Sequence, residues 1–274
     1  MRFDAQTFWD VLFSGVFLVP VLTTVWVTFA AMAIGIAIGL LAGLGANARL
    51  WPMRWLVRAY VTVFRGVPAL VQIVFWFDAV SELTDNAINL PALTAGVIAL
   101  GCNEGAYMTE IVRAGLESVD RGQREAAQTL GLSRVQVQRL VVVPQALRII
   151  VPPTGNQVIG MMKTTSLLFT IGVPEIFATG TNIYSINYRY FEVLSVVSLW
   201  YLALTGILTV FQGWLERRFG AAFARDQAPG AWQRILGFGG RDEWERTQHE
   251  DCPGQHLPRV RRRVASRADR GRHR

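Results

Sequence analysis

Two stretches without a single charged side chain, Val11 to Ala48 and Val193 to Leu215, dominate the hydropathy pattern of this chain. Each exceeds the roughly 18–20 apolar residues that a helix needs to cross a hydrocarbon layer of about 30 Å, so both predict membrane spans. Three further apolar runs between them are interrupted by isolated charges: Arg65 in the first, Glu104 and Glu110 in the second, Lys163 and Glu175 in the third. The pattern therefore predicts an all-α integral membrane protein of five transmembrane helices, over about 16–46, 57–77, 90–112, 154–177 and 191–215.

Two features refine these spans. Gly35, Gly39 and Gly43 recur every four residues along one face of the first span, a spacing that lets a second helix approach closely. Gly155, Gly160, Gly172 and Pro174 weaken a straight helix in the fourth span, and broken backbone at membrane depth must face protein or water, which places that segment inside the bundle. The polar, aromatic stretch from Thr179 to Tyr190 reads as an external loop.

The longest polar interval, centred on 120–143, is too charged for lipid. Its helical signals fall into two pieces separated at Gly131, with Ser133 as the N-cap of the second and Pro144 turning the path beyond it. This is a candidate docking element. Ala126 and Ala127 keep a helix slim enough to enter a groove, Gly131 lets the backbone turn, and Arg121, Arg124 and Glu125, close to Gly122, offer paired hydrogen bonds to a partner.

Charge supplies the sidedness. Arg49, Arg54 and Arg58 follow the first span with no acidic residue and with Trp51 and Trp55 beside them, which marks the cytoplasmic side and puts the amino-terminal segment 1–15 outside. Asp4 and Asp10 in that segment argue for a retained helix rather than a secretory signal. The membrane-spanning body then occupies 16–218. In the tail beyond it, from Glu216 to Arg274, arginines outnumber acidic residues 14 to 8; residues 219–274 read as a basic, disordered cytoplasmic tail.

Composition agrees: 51% of the 274 residues are hydrophobic and 17% charged, below the usual share for a soluble domain. The net charge of +7 lies mostly in the tail and reports membrane orientation rather than nucleic-acid binding. Cys102 and Cys252 sit in settings too different for a disulfide or a metal site. The one lysine, Lys163, follows Met162 and not a glycine-rich loop, so the chain has no P-loop and hydrolyses no ATP itself.

Other polar groups within the apolar runs are candidates for a solute path, since intramembrane charge usually faces a bundle interior or a polar route. They are Arg65, Asn156, Gln157, Lys163 and Thr165, with Glu104, Glu110 and Glu175 as candidate buried-charge partners. Helix-to-helix hydrogen bonding is the competing reading of each.

The polar segment also carries a family likeness. Phe64-Arg65-Gly66-Val67-Pro68, Ala106-Tyr107, Glu110-Ile111-Val112-Arg113, Gly122-Gln123, Glu125-Ala126-Ala127, Leu130-Gly131-Leu132-Ser133, Pro144-Gln145-Ala146-Leu147-Arg148 and Lys163-Thr164-Thr165-Ser166-Leu167 occur in order. With them, the span from about Pro20 to Glu216 resembles the polar amino-acid permeases of ABC importers, of the histidine, glutamine and arginine uptake type, whose EAA segment matches Glu125 to Gly131. Val67, Ala69 and Thr164 depart from the threonine, leucine and aspartate usual there.

The resemblance implies a type I ABC importer permease of five helices in the bacterial plasma (inner) membrane. It further implies a second permease subunit, the same or paralogous, two cytoplasmic ABC ATPase subunits that bind ATP and Mg, and an extracytoplasmic solute-binding protein. An ion-coupled secondary carrier and a membrane scaffold without transport are the alternatives. Five crossings with a long docking segment fit the first of them poorly.

Overall fold

The computed structural model describes residues 3–46 and 50–219; the expected basic tail and Arg49 lie outside the described residues. Every regular element among them is helical. Helix α1 (Ala5–Phe13) starts at Asp4, whose carboxylate accepts from the N–H groups of Gln6 and Thr7 and is held below its ordinary pKa chiefly by the Thr7 hydroxyl. A turn at Gly15, φ +73°, separates it from α2 (Leu18–Ala46), so the first span begins after that turn and not at 16.

The centre of the fold is the seam between α2 and α6 (Ala92–Glu117). A Cβ on Gly35 would lie 2.7 Å from Glu104 Cγ, one on Gly43 would lie 2.7 Å from Val112 Cγ1, and one on Gly39 would meet Met108 itself. The glycine stripe expected from the sequence is therefore the contact face. Partners advance by four on both helices, so α2 and α6 run parallel. The chain between them must travel back, and the intervening helices do so with a sharp break.

That break falls within the expected span 57–77. Helix α3 (Trp51–Gly66) ends at Val67 in extended backbone, and α4 (Ala69–Val74) leads through a π turn at Phe75–Ala79 into α5 (Val80–Leu83). The two parts are bent by 106°. Pro68 is the cause, because it lacks an N–H and drives the residue before it out of the helical region.

Beyond α6 come α7 (Arg121–Thr129), α8 (Arg134–Val137), a π turn at Gln138–Val142 and α9 (Val143–Thr164), which continues as a 3-10 helix over Thr165–Ile171. Gly115 of α6 abuts Ile150 and Gly96 abuts Leu168, so α9 and its extension run antiparallel to α6. The expected fourth span, 154–177, thus begins eleven residues too late. Pro144 does not turn the path but sits at the start of α9 directly after the π turn, and Pro152 and Pro153 lie inside the helix. Inside α9, Pro152 and Pro153 leave the carbonyls of Arg148 and Ile149 without their helical N–H partners, an interruption that membrane helices tolerate.

Helix α10 (Ile176–Asn187) replaces the loop expected from Thr179, and ends at Tyr188 with φ +57°. Its polar residues bond within the helix, Thr181 to Phe177 O and Ser185 to Thr181 O, which is why polarity alone misled. Glu175 caps its start by accepting from Phe177 and Ala178 N–H while Tyr201 Oη donates to it at 2.6 Å. Substituting Tyr201→Phe leaves that fully buried carboxyl one partner short and should cost about 1–3 kcal/mol, read as a lower thermal midpoint of the purified permease.

Helix α11 (Tyr190–Phe219) returns antiparallel to α9, with Val197 against Gly180, Tyr201 against Glu175, and Gln212 against Gly155 and bonded to Pro152 O at 2.7 Å. By length and apolarity α2 and α11 are membrane-spanning helices, and the bent pair supplies a third if taken as one span. The protein is an all-α integral membrane fold with a polar loop between α6 and α9.

Candidate functional site

The loop is built as a knuckle. Asp120 caps α7 by accepting from Gly122 N–H at 2.7 Å. The helix closes with Leu130 N–H on Ala126 O, and the chain then reverses at Gly131, whose φ of +82° suits glycine. Ser133 caps α8 in a reciprocal box with Gln136, as the sequence suggested.

One side of the knuckle is fastened down. Ala127, Val137 and Val142 pack with Val112, Ala146 and Ile150 from α6 and α9. Arg124 Nη2 donates to Leu116 O near the end of α6, and Gln145 Nε2 donates to Gln123 Oε1 at 2.5 Å. The opposite side is open: Arg121, Gly122, Glu125, Ala126 and Gly131 are exposed, together with Leu130, Val135 and Leu140, which are 83%, 61% and 65% exposed.

Two expectations change here. Only Ala126 of the alanine pair faces outward, because Ala127 is part of the core beneath. Arg124 spends its guanidinium on this chain's own backbone rather than remaining free for a partner. Leu130, Val135 and Leu140 were not among the residues expected on the docking face; an apolar residue just before a glycine turn in a polar segment was the available signal.

The helix break forms a second polar feature at the depth of the middle of α6. Gln72 Nε2 donates to both Phe64 O and Val67 O at 2.9 Å, and Asn103 Nδ2 donates to Phe64 O at 2.9 Å. Tyr60 Oη donates to Cys102 O at 2.6 Å. Gln72 and Asn103 satisfy carbonyls that the break releases, as backbone at membrane depth requires, while Tyr60 ties α3 to the unbroken α6. Gln72, Asn103 and Tyr60 were missed, although a lone amide four residues after Pro68 hinted at one of them.

Exposed Arg65 lies at the break, its guanidinium 5.3 Å from the centre of the Tyr107 ring. On α9, Asn156 and Lys163 are exposed two turns apart, nothing lies within 4 Å of a Cβ built on Gly160 between them, and Gln157 is half-buried. Thr165 is fully buried with its hydroxyl on Met162 O.

The proposed charge partners do not pair with Arg65 or Lys163. Glu110 forms its ion pair with Arg113 at 2.7 Å, helped by helical spacing, Glu175 caps α10, and Glu104 is buried without any ion pair. Among the described residues no group of three or more His, Cys, Asp or Glu is arranged to hold a metal.

The described residues form a bundle of apolar helices carrying a polar knuckle fastened on one side and open on the other. Residues 35–221 match the family described as binding-protein-dependent transport system inner membrane component, and the chain belongs to it. It is 36% identical to the glutamine transport system permease protein GlnP of Escherichia coli (strain K12) over 223 residues, covering 80% of this chain and 98% of that one. Similarity to the probable amino-acid permease protein YxeN of Bacillus subtilis (strain 168) reaches 40% identity over 71% of this chain and 87% of that one. A crystal structure of an amino acid ABC transporter with histidines superposes with a TM-score of 0.73 at 34% identity, over 80% of this chain and all of that one. The protein is thus the membrane permease component of an ABC importer of the polar amino-acid uptake family.

Proposed function

We propose that this permease crosses the membrane five times and converts ATP-driven motion, received at the knuckle Arg121–Gly131, into passage of a polar amino acid. The helix directions support five crossings: α2, α6 and α11 run one way, the bent α3–α5 unit and α9 with its 3-10 extension the other. The end of the bundle holding the knuckle carries Arg54, Arg58, Arg121, Arg134, Arg139, Arg148, Arg217 and Arg218. The other end carries Asp4, Asp10, Asp78, Glu82 and Asp85. Under the positive-inside tendency the knuckle is cytoplasmic and the amino terminus external, in a bacterial inner membrane.

The observation that carries the reading is the two-sidedness of the knuckle. Ala127 and Val137 join it rigidly to α6 and α9, while Ala126, Leu130 and Leu140 remain available to a partner. A docking ATPase subunit can therefore move α6 and α9 as one body. In the complete machine two such permeases, identical or paralogous, meet two ATPases that hold ATP and Mg, and a solute-binding protein delivers solute from outside. Closure of the ATPases brings the two knuckles together, and the differential contact shifts the bundle between outward and inward states. Arg65, Asn156, Gln157 and Lys163 face the route the solute takes.

Uptake of radiolabelled glutamine, arginine and histidine by proteoliposomes containing the complete complex tests this. Accumulation should require enclosed ATP and Mg together with the binding protein outside. Uphill uptake by this chain alone, driven by an ion gradient, would instead establish a secondary carrier.

A further inference from the structure

Glu104 is the one group in the α2–α6 seam that the transport reading leaves without a role. Its side chain is 5% exposed, lies across Gly35 and has Oε1 out of reach of solvent and of any hydrogen-bond donor. No ion pair includes it among the described residues. The groups around it offer no compensation. Helix α2 has no ionisable residue between Leu18 and Gly45, and the Tyr60 hydroxyl of α3 is committed to Cys102 O. On α6, Cys102 carries no positive charge, Tyr107 lies under Arg65, and Glu110 is held by Arg113. On α9, both Arg148 and Lys163 are exposed.

A carboxylate enclosed in this way would be a bare charge in a low-dielectric seam, and such groups neutralise themselves instead. Where α2 and α6 meet, Cβ and Cγ of Glu104 fill the place a Cβ on Gly35 would occupy, so the stem that carries the carboxyl is held by the closed helices. We propose that Glu104 is a proton-binding site, carrying its proton while α2 and α6 are closed at Gly35 and releasing it only when they separate there. Proton affinity and closure of the seam are then linked: rising pH favours the ionised group, and with it the parted helices. The neutral carboxyl thus contributes stability at low pH that is lost as pH rises.

The test uses the full chain in lipid nanodiscs, comparing wild type with Glu104→Gln, which keeps the shape and cannot ionise. The infrared difference spectrum at neutral pH should contain the carbonyl band of a protonated carboxyl, shifted in heavy water. Taking the difference against the variant removes the contribution of Glu175. The wild-type thermal midpoint should fall by about 3–6 °C between about pH 6 and about pH 9, while that of Glu104→Gln stays flat across the same interval. Should Glu104→Gln not accumulate, Glu104→Met gives the same comparison with an uncharged chain of similar length. Absence of the band, or equal pH slopes in wild type and variant, overturns the proposal.

Discussion

Gly131→Asp should reduce ATP-driven uptake at least about tenfold, equivalent to about 1.4 kcal/mol of lost coupling, while the permease still inserts and folds. Nothing lies within 4 Å of a Cβ built at this position, so no contact within the chain is disturbed. The φ of +82° costs a non-glycine residue about 1 kcal/mol, and aspartate is among the residues that tolerate that region best. What remains is a new charge on the exposed side of the knuckle, beside Leu130, where a partner must approach. Immunoblots of the membrane fraction measure insertion, and uptake with ligand-stimulated ATP hydrolysis measures coupling. Gly131→Ala, at least as strained as the aspartate variant but uncharged, separates the backbone cost from the docking cost. If the aspartate variant transported normally, the knuckle would not be where force enters.

Gly39→Val is expected to be the most destabilising substitution in the bundle, costing about 1–3 kcal/mol. Its Cβ would stand against the Met108 backbone carbonyl carbon at 2.8 Å and Thr109 N at 3.0 Å, and backbone has no rotamer by which to move aside. The helices must part along the whole Gly35–Gly43 stripe, which removes packing contacts that hold membrane helices together where water-driven hydrophobic association is absent. The thermal midpoint should drop by about 2–4 °C for each kcal/mol in a domain of this size. Gly206→Ala on α11 is the control, since nothing lies within 4 Å of its added Cβ. Equal stability of the two variants would contradict the seam as the central contact.

Some of this was readable without coordinates because it depends on spacing. The glycine stripe, the Ser133 cap and the turn at Gly131 each follow from local chemistry, and all three stand in the fold as expected. Interruptions were harder to place. Pro68 breaks one helix by 106° whereas Pro152 and Pro153 leave another continuous; at the first, Gln72 and Asn103 bond the carbonyl that the break releases, partners that residue type alone does not announce. The candidate site divided in the same way, with the exposed face of the knuckle legible from Glu125 to Gly131 and its fastened face, including Ala127 and Arg124, not.

The amino-acid sequence alone determined the membrane setting, the polar segment between the apolar runs and the family likeness. Apolar length, charge placement and motif order are properties of the chain and survive any arrangement of its helices. Only the tertiary structure decided which helices lie parallel, where the α3–α5 unit bends, which charges pair and that the stem of Glu104 packs against Gly35. Those outcomes depend on which side chain meets which across a helix interface, and residues 69 positions apart in the chain meet there only after the helices have chosen their neighbours.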